Sequence, residues 1–416
     1  MEEMKLEVVL SAANVKAAWR RVKRNKGAPG VDRKTISDTK EHLKQHGRII
    51  YDKLLAGEYK PAAVREVEIP KANGGIRKLG IPTVQDRLIQ QALQQVLSGI
   101  FEPTMSNHSY GFRRHRSQHD AVAAAQEYVR QGKTWVVDID LKSFFDQVPH
   151  DKLMHMISQK VRDKRILKLI GGYLRAPIRH KDGTQDKRLK GTPQGGPLSP
   201  LLANIYLGPL DQELESRGIA FVRYADDVAL FLRSQRSAER VLESIKAWLT
   251  KHLKLEVNED KSGVGPCGGS QLLGFRIHET GETSIAPKSI KKLKDRVREL
   301  WDARQSKSSV ELRKQWRSCI RGWWTYFKFA DLTYNLRDIS GWIRRHMRKC
   351  FWQRWHNKAG RYNALQRLGI NGRGLLVAGS KKGAWPTATH VALHQALSNK
   401  TLSNYGFIIP WELSGK

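Results

Sequence analysis

Residues 221–231 read FVRYADDVALF, and they place two adjacent carboxylates between two short apolar runs. Acidic side chains are poor strand formers, and neighbouring like charges repel unless a positive charge lies between them. The two runs have the composition of strands, so we expect a β-hairpin with Asp226 and Asp227 at its turn. The pair is either an ordinary surface turn or a set of ligands for a cation.

A second acidic stretch supports the interpretation that these carboxylates bind a cation. Residues 134–141, TWVVDIDL, predict a buried strand that ends at about Asp140. If this strand neighbours the hairpin, three carboxylates meet at one rim, and Mg²⁺ would offset their repulsion because it takes oxygen ligands. Two such ions roughly 4 Å apart can stabilise both oxygens of a phosphoryl transfer. Asp138 shares a strand face with Asp140, so alternation alone leaves both as candidates.

The charge balance indicates a polyanionic partner. The 416 residues include 74 Lys and Arg against 40 Asp and Glu, a net charge of +34. Such an excess costs self-repulsion unless something negative binds, so nucleic acid is the first candidate and an anionic membrane surface the second. The basic residues are spread along the chain instead of lying in one amphipathic helix, which favours nucleic acid.

The cysteines and the N-terminus bear on the compartment. Cys267, Cys319 and Cys350 are far apart and form no C-x-x-C pair, so we expect neither a zinc module nor a disulfide framework. The N-terminus lacks a basic segment followed by an apolar run, so we expect no signal peptide. We also expect no membrane span, and a cytoplasmic location is the default expectation.

Periodicity and turn signals predict the main elements. We expect short helices up to about residue 65, then a hairpin over 66–82 around Asn73-Gly74-Gly75. Helices are expected in VQDRLIQQALQQVL, which follows this hairpin, and from about Leu198 to Glu215. LLGFRI (272–277) predicts a strand, and EDKSGVGPCGGS (259–270) a loop. This mixture of hairpins and helices predicts an α+β core.

The composition changes after about residue 286. Residues 286–358 hold twenty Lys or Arg against six Asp or Glu, together with seven of the twelve Trp. One helix face there is apolar and its back is basic, with Ile290, Leu293, Val297 and Leu300 on the apolar side. From residue 359 onward Glu412 is the only acidic residue. We expect a basic helical domain whose aromatic side chains mainly fill its core.

Three motifs that surround the acidic residues resemble those of reverse transcriptases. YADD (224–227) looks like motif C, and VDIDLKSFFD (137–146) is similar to motif A. GTPQGGPLSPLLANI (191–205) is a very close match to motif B of the group II intron class. The family that these motifs indicate is the group II intron reverse transcriptase/maturase family.

Further motifs extend the resemblance along the chain. IPKANGGIRKLGIPTVQDRLIQQAL resembles the fingers motifs of the same class, while NEDKS (258–262) and LLGF (272–275) resemble motifs D and E. Their order and spacing match the family from about residue 10 to the end.

The resemblance implies a right-hand polymerase with fingers, a palm with a ferredoxin-like core, and an α-helical thumb. The implied regions are an N-terminal extension with the start of the fingers (1–65), the fingers and palm core (66–285), a thumb or maturase domain (286–358) and a basic DNA-binding region (359–416). We expect no C-x-x-C-bearing nuclease domain after this region. The resemblance is therefore to the short class without an endonuclease domain, or to a free-standing relative, and we expect no target cleavage by this chain.

The resemblance also assigns a catalytic metal site. Asp140, Asp226 and Asp227 would be the ligands, since the motif A ligand lies five residues before an aromatic gate, and the backbone carbonyl of Leu141 would assist. The implied cofactor is a pair of Mg²⁺ ions, with Mn²⁺ as a substitute. Phe145 resembles the gate itself, a ring that would clash with a 2′-hydroxyl and so select deoxynucleotides. The alternative is that Phe145 is a core aromatic residue.

Other residues resemble substrate contacts. Gln194 matches the residue that touches the sugar 3′-hydroxyl, and Gly195 permits close backbone approach. Lys71 and Arg77 resemble the pair that binds the triphosphate. Lys261 resembles the lysine proposed to protonate the leaving pyrophosphate. The primer grip is matched by three consecutive residues, Leu273, Gly274 and Phe275.

The implied function is RNA-directed DNA synthesis from dNTPs on an RNA template with a DNA or RNA primer. Group II intron RNA and target DNA would be further partners, in splicing and retrohoming. Two alternatives stay open. One is an intron-less relative that acts in DNA repair, and the other is an RNA-binding splicing maturase with vestigial polymerase activity. The sequence leaves the oligomeric state undetermined.

Overall fold

The two acidic stretches lie on neighbouring strands of one sheet in a computed structural model that describes residues 5–70, 75–332 and 336–415. The chain divides into two compact units, Met1–Pro266 and Cys267–Lys416. The predicted boundaries after residues 65, 285 and 358 separate functional regions, and they stay predictions.

The described part of the first unit contains two four-stranded sheets. Its strands are β1 (Val64–Pro70), β2 (Ile76–Ile81), β3 (Trp135–Asp140), β4 (Ile178–Arg179), β5 (Gln185–Asp186), β6 (Ala220–Tyr224), β7 (Asp227–Leu232) and β8 (Gly263–Pro266). One of these sheets is antiparallel and has the order β6-β7-β3-β8. Both β6 and β7 are buried over four consecutive residues, as a strand covered on both faces should be.

The register of this sheet places the acidic residues together. Asp140, the last residue of β3, is the direct partner of Asp227, the first residue of β7. The hairpin between β6 and β7 is confirmed, but the expectation that Asp226 and Asp227 form its turn is wrong by one residue. The turn consists of Ala225 and Asp226, because Tyr224 pairs with Asp227.

The expectation of a loop over 259–270 is also wrong in part. Gly263–Pro266 forms β8, which pairs with β3 from Trp135↔Pro266 to Asp138↔Gly263. Glycine and proline are poor strand formers, so nothing in this segment predicts a strand. The segment is held extended by pairing with the edge of β3 opposite β7.

The second sheet has the order β2-β1-β4-β5. The predicted hairpin over 66–82 is confirmed, since β1 and β2 pair antiparallel from Arg65↔Ile81 to Pro70↔Ile76. Its predicted turn residues Asn73 and Gly74 lie outside the described residues.

Helices of the first unit pack against the sheet β6-β7-β3-β8. The described helices of this unit are α1 (Leu6–Val9), α2 (Ala12–Asn25), α3 (Ile36–Leu55), α4 (Val84–Phe101), α5 (Gln118–Arg130), α6 (Phe144–Gln147), α7 (His150–Ser158), α8 (Lys164–Arg175), α9 (Ser199–Ser216) and α10 (Gln235–Trp248). The helices predicted after the first hairpin and from about residue 198 are confirmed as α4 and α9.

The expectation of short N-terminal helices is wrong for α2 and α3, which have 14 and 20 residues. Helix α3 begins with a capping box between Thr35 and Asp38, which satisfies backbone donors that the first turn leaves unpaired.

The second unit is mainly helical. Its described elements are β9 (Phe275–Ile277), β10 (Thr283–Ile285), α11 (Pro287–Leu300), α12 (Ser309–Phe327), α13 (Leu336–Arg354), α14 (Lys358–Arg367), α15 (Ala384–Thr387), α16 (Val391–Ala396), α17 (Asn399–Asn404) and α18 (Pro410–Leu413). The strand predicted over 272–277 begins only at Phe275. Leu273 and Gly274 have positive φ values of +50° and +85°, which strands do not adopt.

The core of the second unit joins the thumb region to the C-terminal segment. Trp301, Trp316 and Trp352 are fully buried in it, as expected for aromatic residues of a helical domain. The same core includes Leu402 and Ile409. Within the residues described, no helix is both long and apolar enough to cross a bilayer.

Candidate active site

A cleft of about 900 Å³ lies over the rim where β3 and β7 meet. Seven of the residues that the sequence predicts for the site line it: Asp140, Leu141, Phe145, Gln194, Gly195, Asp226 and Lys261. These residues come from four separate stretches of the chain, and the sheet and the motif B loop bring them to one place.

The carboxylates at this rim are close enough to affect the ionisation of Asp227. Desolvation, followed by the negative charges of Asp226, Asp140 and Asp138 in that order, raises the pKa of Asp227 to about 6, while the positive charge of Lys261 opposes them. Repulsion between carboxylates has this effect because each disfavours the charge of the next. The site therefore concentrates negative charge that a cation would offset.

The donor set fits a divalent cation by its chemistry. Carboxylate and carbonyl oxygens are the ligands of hard cations, and the Asp140 side chain is 34% exposed, so an ion can reach it. Among the described residues, no three acidic, His or Cys side chains are already arranged as an assembled metal centre. The backbone places Asp140 directly opposite Asp227.

The motif D segment fixes the backbone of Asp140. The Asp140 N–H donates to Ser262 Oγ at 2.9 Å, and the Asp140 carbonyl accepts from the Asn258 N–H at 2.8 Å. Lys261 Nζ lies 3.6 Å from Asp140 Oδ2. Of the two motif A candidates, Asp140 lines the cleft, whereas Asp138 lies two residues back along β3, between Ala229 and Gly263.

Phe145 has one face available to the cleft. It is half-buried and packs edge-on against the fully buried ring of Phe144, with ring centroids 5.2 Å apart. Phe144 belongs to the core and Phe145 packs against it, and both residues line the cleft. Phe145 is the more exposed of the two, and its role as the gate stays a prediction.

The motif B loop is tied to both neighbouring segments. The Thr192 N–H donates to the Phe145 carbonyl at 2.6 Å, and the Gly80 N–H of β2 donates to the Gln194 carbonyl at 2.9 Å. Gly195 has a φ of +127°, and a Cβ there would lie 3.0 Å from the Gly80 carbonyl oxygen. Glycine is therefore required for both conformation and space at this point.

Of the residues that the structure describes, the remaining predicted ones are not among those that line the cleft. Asp227 lies at the rim, at the start of β7 and opposite Asp140. Arg77 is on β2, opposite Ile69 in the hairpin, and Lys71 lies outside the described residues. The predicted primer grip belongs to the second unit, where Leu273 and Gly274 form a tight turn. Tyr326 Oη donates to the Leu273 carbonyl at 2.7 Å, and the turn leads into the buried Phe275.

Sequence reasoning missed several residues of the site. Phe112 lines the cleft with 55% of its surface exposed, and its φ of +59° is rare for an aromatic residue. Arg87 lines the cleft from α4 and donates to the Ala28 carbonyl at 2.7 Å. The fully buried Arg223, one residue before YADD, was also missed. The only signal for it was a charged residue within an apolar strand.

Comparison with known families covers most of the chain. Residues 69–277 match the family model described as "Reverse transcriptase (RNA-dependent DNA polymerase)". Residues 290–369 match "Group II intron, maturase-specific domain". The two family models overlap the regions that carry the fingers, palm and basic helical motifs.

Individual relatives agree with these models. Protein YkfC of Escherichia coli (strain K12) is 34% identical over 295 residues, which cover 61% of this chain and 77% of that protein. Group II intron-encoded protein LtrA of Lactococcus lactis is 38% identical over 197 residues, 47% of this chain and 32% of LtrA. The chain therefore spans about a third of the length of LtrA.

Two solved structures show a distant likeness to this chain. A telomerase from Candida tropicalis superposes with a TM-score of 0.43 at 15% identity, over 54% of this chain and 55% of that one. A partial Cas6-RT-Cas1–Cas2 complex gives a TM-score of 0.38 at 24% identity, over 60% and 43%. The assignment rests on the family models, the relatives and the chain's own α+β polymerase fold. The chain belongs to the group II intron reverse transcriptase/maturase family, and its reverse transcriptase domain classes it as an RNA-directed DNA polymerase.

Proposed function

We propose that this chain extends a DNA or RNA primer on an RNA template, with two Mg²⁺ ions held by Asp140, Asp226 and Asp227. The observation that carries this proposal is the direct pairing of Asp140 with Asp227 across β3 and β7. Residues opposite each other in an antiparallel sheet have Cα atoms about 4.5–5.5 Å apart, so their carboxylates can reach a common ion. When bound, such ions favour attack by the primer 3′-hydroxyl and stabilise the charge on the leaving oxygen.

The surrounding residues position the nucleotide in this proposal. Gln194 and Gly195 hold the sugar against the motif B loop, and the ring of Phe145 excludes a ribose 2′-hydroxyl. Arg77, with Lys71, binds the triphosphate through its guanidinium fork. Lys261 gives a proton to the leaving pyrophosphate, since its ammonium already lies beside Asp140 in the cleft.

A template comparison tests the polymerase. Purified chain, Mg²⁺ and dNTPs are incubated with one annealed primer on an RNA template or on a DNA template of the same sequence. We expect extension on the RNA template that requires a divalent ion, with Mn²⁺ as a working substitute. Absence of extension on RNA, with duplex binding intact, would contradict the proposal.

A splicing role is favoured by a separate observation, the match of residues 290–369 to the maturase-specific domain. The proposed partners are a group II intron RNA and, in retrohoming, its target DNA. Net charge +34 supports binding to such polyanions. A splicing assay with any intron RNA that flanks the reading frame tests this role, and we expect splicing at lower Mg²⁺ when the protein is present.

The repair alternative differs in its genomic context. An intron-less relative would have no intron RNA around its reading frame, and it would still extend primers. A maturase with vestigial polymerase activity would splice but not extend. The intact set of three carboxylates supports an active polymerase, because a protein that only binds RNA has no need of clustered negative charge.

A further inference from the structure

A buried ion pair lies beside the turn that carries Asp226. Arg223 on β6 and Asp211 on α9 have 0% and 2% of their side chains exposed. Arg223 Nε donates to Asp211 Oδ1 at 2.6 Å, and Nη2 donates to Asp211 Oδ2 at 2.5 Å. A two-point contact of this kind fixes the orientation of the guanidinium plane as well as its position.

The third nitrogen of the guanidinium contacts the turn itself. Arg223 Nη1 donates to the Ala225 carbonyl at 2.9 Å and to Asn204 Oδ1 at 2.9 Å. Ala225 has a φ of +61°, a left-handed conformation that costs free energy in any residue with a Cβ. The guanidinium therefore stabilises Ala225 in its strained conformation. The Ala225 carbonyl belongs to the peptide bond that joins Ala225 to Asp226.

The same network holds the adjacent wall of the cleft. Asn204 Nδ2 donates to the Gly111 carbonyl at 2.8 Å. Gly111 lies so close to the turn that a Cβ there would be 2.3 Å from the Ala225 nitrogen. The Tyr110 N–H also donates to the Arg223 carbonyl at 2.8 Å, so the loop that presents Phe112 and the catalytic turn are held by one set of contacts.

We propose that Asp211, Arg223 and Asn204 are positioning residues that orient the turn bearing Asp226 for catalysis, an inference that rests on the proposed polymerase function. A buried ion pair of this kind is not needed for stability alone, because well-packed apolar residues of similar volume are often as stabilising. Only the polar set can also donate to the Ala225 carbonyl and anchor Gly111. The network therefore determines where Asp226 lies.

The test uses the full chain with Arg223→Met and Asp211→Leu combined. The double substitution leaves no unpaired buried charge, and circular dichroism with thermal unfolding checks its fold. We expect KM for dNTP to stay within about twofold, while kcat for single-nucleotide extension falls at least about tenfold, since small misplacements of reacting groups are costly. Arg223→Lys keeps the charge without the planar fork, and its kcat should be intermediate.

A second readout does not depend on turnover. The affinity of the primer–template complex for Mn²⁺, measured by electron paramagnetic resonance, should weaken several-fold in the double variant, while its affinity for the primer–template duplex stays unchanged. Arg165→Met is the matched control. It removes an ion pair with Asp163 and Glu7, and it should alter neither kcat nor Mn²⁺ affinity.

Wild-type kcat and Mn²⁺ affinity in a folded double variant would overturn the positioning role. If that variant does not fold, the same wild-type values in Arg223→Lys would overturn it. Failure of the wild-type chain to extend any primer would contradict the proposed function instead, and the Mn²⁺ affinities of the variants would still decide the positioning role.

Discussion

Phe145 shows how one side chain acquires a role from its position. Its neighbour Phe144 is buried in the core and holds the Phe145 ring edge-on, so that the outer face of the ring lies in the cleft with Asp140. The Phe145 carbonyl accepts a hydrogen bond from the Thr192 N–H, which ties the short helix α6 to the motif B loop. A ring held in this way can exclude a group as small as a hydroxyl.

Replacing this ring should change sugar selection. We expect Phe145→Val to lower the ratio of kcat/KM for dNTP over rNTP by at least about tenfold, which corresponds to about 1.4 kcal/mol in the discriminating contact. Single-nucleotide incorporation with matched dNTP and rNTP measures this ratio. Phe144→Leu is the control, since it should lower thermal stability and leave the ratio unchanged. An unchanged ratio in Phe145→Val would remove the gate hypothesis.

Gly111 is a second residue whose identity the structure explains. A Cβ at Gly111 would meet the backbone nitrogen of Ala225 at 2.3 Å, and backbone cannot move aside as a flexible side chain can. We expect Gly111→Ala to destabilise the fold by about 1–3 kcal/mol and to lower extension at least tenfold by displacing the catalytic turn. Chemical denaturation and primer extension measure the two effects.

Gly47 provides the control for this substitution. It lies in α3 with no atom within 4 Å of an added Cβ. Gly47→Ala should stabilise the chain by about 0.5–1 kcal/mol, because alanine loses less backbone entropy in a helix. If both variants behaved alike, the steric explanation for Gly111 would be wrong.

Residue-level prediction from sequence found residues that line the cleft where a side chain has a chemical signature, and the roles of these residues stay predictions. Carboxylates at the end of a strand predict metal binding, and a glycine in a Pro-Gln-Gly turn predicts a close approach of the backbone. It failed for Ala225, because alanine gives no sign that it takes a left-handed conformation, and the turn was therefore placed one residue late. It also failed for Arg223. The contact of this residue with the Ala225 carbonyl depends on a buried partner, Asp211 of α9, which the local sequence does not reveal.

At the level of elements, periodicity predicted what is regular and long. Helices α4 and α9 and both hairpins follow from apolar spacing and turn signals. Strand β8 could not be predicted, since three of its four residues are glycine or proline, which are poor strand formers, and the segment is paired with β3. Strand β9 begins only at Phe275, because the two residues of the preceding turn have positive φ values that sequence periodicity does not predict.

An ion-pair cluster around His180 links strands β1 and β5 of the sheet β2-β1-β4-β5. His180 Nδ1 lies 2.6 Å from Glu66 Oε2 of β1, and its Nε2 lies 2.9 Å from Asp186 Oδ2 of β5. The hydrogen bond to Glu66, followed by that to Asp186, raises the pKa of His180. The bond from His180 in turn lowers the pKa of Glu66.

The sign of the effect follows from these shifts. A raised histidine pKa stabilises the fold fully below its unfolded value of about 6.5, and this contribution is lost as the pH rises through the folded value. We expect the difference in unfolding free energy between wild type and His180→Gln to be larger at about pH 5.5 than at about pH 8.5. Urea denaturation at both values measures it. A difference that grows with pH would show that the cluster does not bind the charged imidazole.

On the scale of the whole molecule, composition predicted the partner class and the motif order predicted the family. What composition could not predict is how the C-terminal segment is held. Glu412, the only acidic residue after 358, pairs with the buried guanidinium of Arg344 on α13, which also donates to the Phe407 carbonyl at 2.5 Å. The basic C-terminal segment is therefore joined to the thumb region within the second unit.

Loss of this pair should destabilise the second unit. Glu412→Gln leaves Arg344 with neutral partners only, and we expect a loss of about 1.5–3 kcal/mol, the usual value of a hydrogen bond to a charged group. Tryptophan fluorescence during chemical denaturation of the full chain reports it, since nine of the twelve Trp lie after residue 266. Glu299→Gln is a control on a half-exposed pair with Arg296, where little change is expected. Equal losses in both variants would contradict this account of the C-terminal segment.

The central claim is that carboxylates from β3 and the β6–β7 turn form one catalytic metal site. The most direct test is Asp226→Ala in primer extension on an annealed RNA template, with Glu243→Ala, a change at an exposed residue of α10, as the control. We expect extension to be abolished by Asp226→Ala and kept by the control, while both variants bind the RNA duplex as wild type does. Full extension by the Asp226→Ala protein would contradict the metal site.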